Sequence, residues 1–96
     1  MSDLDRVIHE PARLTIVALL AGVKRADFLW VLTESGLTKG NLSSHLAKLE
    51  DAGYVEIEKT YRGKTPLTLL RLTASGQAAF KQYKKSLTGL IGTARR

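Results

Sequence analysis

The sequence contains no cysteine, so disulfides and thiolate metal sites are excluded, in keeping with a reducing cytoplasm. Its only histidines, His9 and His45, are too far apart in the chain to offer metal-ligand spacing. Long hydrophobic runs are missing as well. The longest, residues 16–23, falls far short of the roughly 20 residues of a membrane span. The opening residues, Met1-Ser2-Asp3-Leu4-Asp5, are acidic where an export signal would be basic. There are no internal repeats and no low-complexity segment. No nucleophile–base pair, paired acids or phosphate-cradling glycine loop can be assembled, so catalysis is not expected. These absences predict a soluble, cytoplasmic, non-enzymatic protein with no membrane partner, no metal and no cofactor.

One part of the chain also lacks acids. Asp3, Asp5, Glu10, Asp27, Glu34, Glu50, Asp51, Glu56 and Glu58 all lie in the first 58 residues, which carry six basic against nine acidic side chains, net −3. The remainder carries nine basic side chains and no acid, net +9. A polyanionic partner would account for this asymmetry; a solvated basic surface would give the same count. With 96 residues, 44% of them hydrophobic, the chain suits one domain (1–96) around a single core.

Within residues 1–22, Leu4, Val7 and Ile8, then Leu14, Val17, Ala18 and Ala21, recur at helical spacing. Pro11 interrupts them, and proline is tolerated in the first turn of a helix. The pattern predicts a short N-terminal helix, a bend at Glu10-Pro11 and a main helix to about residue 20, closed near Gly22. Residues 24–27 read as a connector whose Asp27 caps a helix over 28–35. Phe28, Leu29, Val31 and Leu32 form its apolar face, and Trp30 beside them is expected in the core or an interface. After Gly36-Leu37, Thr38 caps a third helix with a buried stripe of Leu42, Leu46 and Leu49, and Gly53 ends it in the left-handed conformation. The period then becomes two: Val55 and Ile57 face one way, Glu56 and Glu58 the other, as in a half-buried strand. Tyr61-Arg62-Gly63-Lys64 is a turn, Pro66 precedes the ladder, and a second strand covers 67–72. Thr73 caps a last helix over 74–91, where Phe80, Tyr83, Leu87 and Leu90 are spaced like a coiled-coil seam, and residues 92–96 are expected to fray.

The fold class expected is mainly α with a small β-hairpin wing (α+β). It is a winged helix-turn-helix, with the helix-turn-helix at 27–53, the wing at 54–73, and N- and C-terminal helices available for dimerisation. With the leucine stripe inward, 100° per residue turns Gly40, Asn41, Ser44, Ala47, Lys48 and Asp51 outward, with Ser43 on the flank. Asparagine can bond adenine twice, serine is adaptable, and lysine reaches guanine or phosphate. The helix N-terminus at Thr38 and Lys39 can hold a phosphate. An ordinary solvated helix face would look the same. Asp51 opposes DNA, so it should lie at the end away from a duplex, while His45 at the edge of the stripe reads as packing. Lys59, Tyr61, Arg62 and Lys64 surround Gly63. Such a tip can follow phosphates or place Arg62 in a minor groove, though exposed tips are commonly charged for solubility. Arg13 could reach a phosphate or pair with an acid.

The run Leu4-Asp5-Arg6-Val7-Ile8-His9-Glu10-Pro11-Ala12-Arg13-Leu14 and the run Gly40-Asn41-Leu42-Ser43-Ser44-His45-Leu46-Ala47-Lys48-Leu49 through Tyr54-Val55 resemble small stand-alone winged-helix regulators. These are relatives of the MarR-type and ArsR-type regulators of bacteria and archaea. Gly63-Lys64-Thr65-Pro66 and Leu72-Thr73-Ala74-Ser75-Gly76 match as well, so the resemblance spans nearly the whole chain. It implies a homodimer that binds operator DNA through the third helix (Thr38, Lys39, Gly40, Asn41, Ser43, Ser44, Lys48) and the wing (Tyr61, Arg62, Lys64). Two features depart from the pattern. Leu67-Thr68-Leu69-Leu70 is more apolar than the usual wing strand, which weakens the case for DNA contact there, and Ala74-Ser75 replaces a Pro-Glu pair. The metal-binding cysteines of ArsR-type proteins are missing, so metal sensing does not carry over.

A single module reads only a few base pairs, and a dimer doubles the contacts on a pseudo-palindromic site. Pairing the seam with a partner's N-terminal helix would bury Leu4, Val7, Ile8, Phe80, Tyr83, Leu87 and Leu90. Each is worth on the order of 1.5–3 kcal/mol before ordering costs. The alternative is that the last helix packs on its own domain. A second functional reading is a winged-helix protein–protein interaction module without specific DNA binding, supported weakly by Leu67, Leu69 and Leu70. No residue identifies a small-molecule effector, an operator sequence or the direction of regulation.

Overall fold

Helix α1 (Pro11–Ala21) begins where Pro11 forces it to. A residue before proline avoids the helical region, and Glu10 is extended at φ −153°, ψ 130°. Its carboxylate then caps the helix, accepting from the Arg13 amide at 2.8 Å. The structure, a computed structural model, describes residues 4–94, with side chains described through Gly89. The short N-terminal helix expected ahead of Pro11 is not formed: residues 4–10 are turns and bends. Asp5 Oδ1 accepts from the amides of Val7 (2.8 Å) and Ile8 (3.2 Å), which replaces helical bonding with a local turn. Only one helix-like bond forms, His9 N to Asp5 O at 2.7 Å. This strap lies across the domain and drives Ile8 into the core with no exposure.

Helix α2 (Phe28–Ser35) is capped by Asp27, and α3 (Lys39–Asp51) by Thr38, as their sequences predict. Only Val31 of α2 is fully inward, and Trp30 is 41% exposed rather than core, because it sits 100° around the helix from Val31. Gly53 takes φ 80° after α3, the left-handed value expected of it.

The connector holds a strand that periodicity does not reveal, since β1 (Ala26–Asp27) has only two residues. It pairs antiparallel with Leu70 and Leu69. The sheet has the order β1-β3-β2, with β2 at Val55–Arg62 and β3 at Thr65–Leu72. The ladder therefore reaches the turn and includes Pro66, opposite Tyr61, which corrects the expected start at residue 67. Antiparallel pairs alternate between bonded and non-bonded, and the pair next to the turn-closing Arg62–Thr65 is non-bonded. Pro66 thus needs no N–H toward β2, and β1 does not extend far enough to need one on the other side. Gly63 supplies φ 64° at the first turn position, where a two-residue hairpin requires a positive value.

Helix α4 (Ala74–Ala94) starts on Thr73, whose Oγ1 accepts from Gly76 N at 3.0 Å and donates to Gly53 O at 2.6 Å. It extends past the expected end at residue 91. Its seam corrects part of the dimer expectation. Tyr83 is only 4% exposed and belongs to the core of its own chain, as does Ile8. The reason is the strap: His9 Nδ1 and Tyr83 Oη lie 2.9 Å apart, joining α4 to residues 4–10. Leu4, Val7, Phe80 and Leu87 are partly buried against the same core, and the side chain of Leu90 lies outside the described residues. The core joins Ile16, Val17 and Leu20 of α1 to the α3 leucines and to Val55, Leu70 and Leu72 of the sheet. Among the described residues no helix is long and apolar enough to cross a membrane.

Candidate nucleic-acid interface

The inward stripe of α3 is closed to solvent: Leu42 and Leu49 are fully buried and Leu46 is 2% exposed. That fixes which way the rest of the helix points. Lys39, Gly40, Asn41, Ser43, Ser44, Ala47 and Lys48 are all exposed. Thr38 is exposed too, but its hydroxyl oxygen is committed to the cap, accepting from Asn41 N at 3.2 Å. At 100° per residue, Lys39 and Ser43 form one flank of the outward arc, and Asn41 and Lys48 form the other. Asp51 lies about 18 Å along the helix from Lys39 at 1.5 Å per residue.

The flank of Lys39 and Ser43 faces the wing. Together with Ile57, Lys59, Arg62 and Pro66 they line one cleft of about 660 Å³, and the start of α2 lines it as well. The third helix and the cationic hairpin therefore open onto a common surface. Tyr61, 69% exposed, and Lys64 project from the tip outside this cleft. Asn41, Ser44 and Lys48 stand on the outer surface of the helix, also outside it.

Charge is sorted on the hairpin. Register puts Glu56 and Glu58 on the face opposite Ile57 and Lys59. Both acids are neutralised there, Glu56 by Arg71 at 2.9 Å and Glu58 by Arg25 at 3.7 Å. Asp27, the one acid lining the cleft, spends an oxygen on the Leu29 amide at 2.8 Å. The side chains of Lys39, Lys48, Lys59, Arg62 and Lys64 have no hydrogen bond or ion pair among the described residues. Unpaired cations around a polar helix are what a phosphate backbone recognises.

A family model of the winged helix DNA-binding domain matches residues 12–91. The chain belongs to that family. This winged-helix chain is 36% identical over 78 residues to the uncharacterized protein MJ0432 of Methanocaldococcus jannaschii, covering 81% of this chain and 85% of that protein. A transcriptional regulator homologue protein from Pyrococcus horikoshii OT3 has a solved structure that matches with a TM-score of 0.88 at 30% identity, over 94% of this chain and 89% of that one. A MarR-family transcriptional regulator from Silicibacter pomeroyi shares the fold, with a TM-score of 0.65 at 14% identity over 92% and 71% of the two chains.

Two readings of the sequence change in the winged-helix domain. The side chain of Arg13 is engaged within the domain. Its Nε donates to Val7 O at 2.6 Å and its Nη1 lies 3.1 Å from His45 Nδ1. A guanidinium only donates, so Nδ1 of His45 accepts and the ring proton sits on Nε2, which faces Glu10 Oε2 at 3.7 Å. His45 is thus half-buried with one hydrogen bond, as its place beside the leucine stripe suggests. The amide of Arg13 holds the Glu10 carboxyl below its ordinary pKa. The apolar wing strand is also largely explained from within. Leu70 is fully buried, Leu69 is half-buried on the strand that pairs with β1, and Leu67 is half-buried in the wall of the cleft.

Lys59 is the cleft residue that the helix-and-tip reading undervalues. A signal for it exists: it is the next inward position after Val55 and Ile57, and the period-two pattern turns from apolar to cationic there.

Proposed function

We propose that this chain is a transcriptional regulator that binds double-stranded DNA sequence-specifically as a homodimer. One observation carries the reading: Lys39 and Ser43 of α3 and Lys59 and Arg62 of the wing face a single cleft. With α3 in the major groove, the small residues Gly40, Ser43, Ser44 and Ala47 allow close approach, Asn41 reads adenine, and Lys48 takes guanine or phosphate. Lys39 and the free amides of the first turn hold a phosphate. Tyr61, Arg62 and Lys64 follow the backbone or enter the next minor groove.

The dimer is supported by apolar side chains that the core does not fully cover. Leu4, Val7, Phe80 and Leu87 retain exposed area around the base of α4, which continues past them to Ala94. A second copy seated there would be related by a two-fold axis and would present two reading helices to a pseudo-palindromic operator.

Selection of bound duplexes from a random pool tests the assignment. The expected product is an inverted repeat. Asn41→Ala should then change the preferred base at one position of each half-site, whereas Arg62→Ala should weaken all duplexes alike. Weak binding with no enriched motif would refute the proposal, and a monomer in sedimentation at tens of micromolar would refute the dimer.

A further inference from the structure

Burial of the leucine stripe sets which side of α3 faces outward, but the apolar driving force is non-directional. The fine roll of the helix, within some tens of degrees, is therefore held less tightly by it than by directional hydrogen bonds. Among the described residues, His45 makes the sole side-chain hydrogen bond or ion pair from α3 to another element. Its partners are themselves anchored to backbone. Arg13 is tied to Val7 O at 2.6 Å, and Glu10 to the Arg13 amide at 2.8 Å. All three side chains are half-buried, so the contacts are partly shielded from water. His45 lies within about 60° of both Asn41 and Lys48 around the helix, at 100° per residue. On a helix about 10–12 Å across with its side chains, a roll of about 20° displaces a side-chain tip by roughly 2 Å. That is enough to break a two-point hydrogen bond to a base edge.

We propose that Arg13, His45 and Glu10 form a bracket that sets the roll of α3, making Arg13 and His45 positioning residues for base discrimination rather than DNA contacts. The inference rests on the sequence-specific reading above. The bracket sits on the flank that carries Asn41, and Lys59 and Arg62 stand on β2. A roll also moves Lys39, but a flexible lysine can follow a phosphate through a shift that breaks a two-point base contact. Base discrimination therefore depends on the roll of α3 more steeply than nonspecific binding does.

His45→Leu and His45→Gln separate this role from plain packing. Leucine matches the apolar stripe and keeps the fold but removes both polar contacts. Glutamine restores them, with its amide oxygen accepting from Arg13 and its NH₂ facing Glu10. The readout is the ratio of dissociation constants for a scrambled and a selected duplex at one salt concentration. His45→Leu should lower that ratio by about tenfold, the worth of one good base contact, with scrambled-duplex binding and its salt slope unchanged. His45→Gln should stay within about threefold of the parent. An unchanged ratio in His45→Leu, an equal loss on both duplexes, or a glutamine variant as poor as leucine would each overturn the bracket. If the parent itself showed no preference, the sequence-specific reading would fall and the bracket with it.

Discussion

The base and the tip of the wing are built from the same two strands, yet they serve opposite purposes. At the base, Val55, Leu70 and Leu72 are buried, β1 adds a third strand, and Glu56 and Glu58 are matched by Arg71 and Arg25. Toward the tip there is no third strand, and Lys59, Arg62 and Lys64 are unpaired. The inward row of β2 shows the change directly, running Val55, Ile57, Lys59, Tyr61. Apolar residues stop where the core stops. Beyond that point the hairpin is stabilised mainly by its ladder and its Gly63 turn, and its side chains are free for a partner.

The sharpest way to break this division is to overfill the base. Gly76 of α4 packs against the start of the wing. A Cβ there would press into the Tyr54 carbonyl oxygen and come within 2.8 Å of Leu72 Cδ1. The same carbonyl accepts from Thr73 N at 2.9 Å, so it cannot retreat without losing that bond. Gly76→Ala should cost about 3 kcal/mol, the upper end for overpacking, which lowers Tm by roughly 12–24 °C for a domain of this size. A thermal melt within a few degrees of the parent would show that the base yields more than its geometry allows.

The tip should behave in the opposite way. Replacing Lys59, Arg62 and Lys64 together by glutamine removes exposed charge and touches no core residue. Thermal stability should change by less than about 0.5 kcal/mol. DNA affinity should fall, and the slope of log K against log salt should shrink by about 0.9 for each phosphate that is no longer neutralised. An unchanged slope would mean that the wing tip does not meet the backbone.

Much of this division is legible in the sequence, for physical reasons. Helical and strand periods are set by burial, so the leucine stripe of α3 and the alternation at 55–58 reveal both elements. Asp27, Thr38 and Thr73 announce their helices because capping chemistry is local. The helix-turn-helix and the basic tip, and hence most candidate contacts, follow from those elements. What the sequence hides is either too short or non-local. Two residues show no period, so β1 is invisible until Leu69 and Leu70 are seen beside it. The helical spacing of Leu4, Val7 and Ile8 suggests a helix, but Asp5 and Pro11 turn the segment into a strap. The bracket on His45 joins residues 32 positions apart, and no local pattern announces it.

A pH titration probes the base from the side of the strap. Tyr54 donates its phenol to Asp5, and that bond, with burial and the carboxylate's charge, pushes its pKa up from 10.0 to about 12. The folded state therefore holds this proton more tightly than the unfolded chain does. The associated stability is complete below pH about 10 and is lost as pH rises toward about 12. Tyr54→Phe should remove this alkaline component, seen as a difference between the two proteins' denaturant midpoints from pH 9 to 12. Parallel profiles would show that the strap is not tied to the base through this bond.

The smallest effect is expected at the ion pairs of the base. Arg71 and Glu56 meet at 2.9 Å, but their side chains are 46% and 61% exposed. Solvent and salt screen such pairs, whose worth is about 0–1 kcal/mol. Arg71→Ala should therefore lower stability by less than about 1 kcal/mol. It also removes a positive charge, so a wing that met DNA along its whole length would lose affinity and salt slope much as the tip variant does. If the division between base and tip is real, the salt slope should remain that of the parent, because Arg71 is already matched by Glu56 and lies outside the shared cleft.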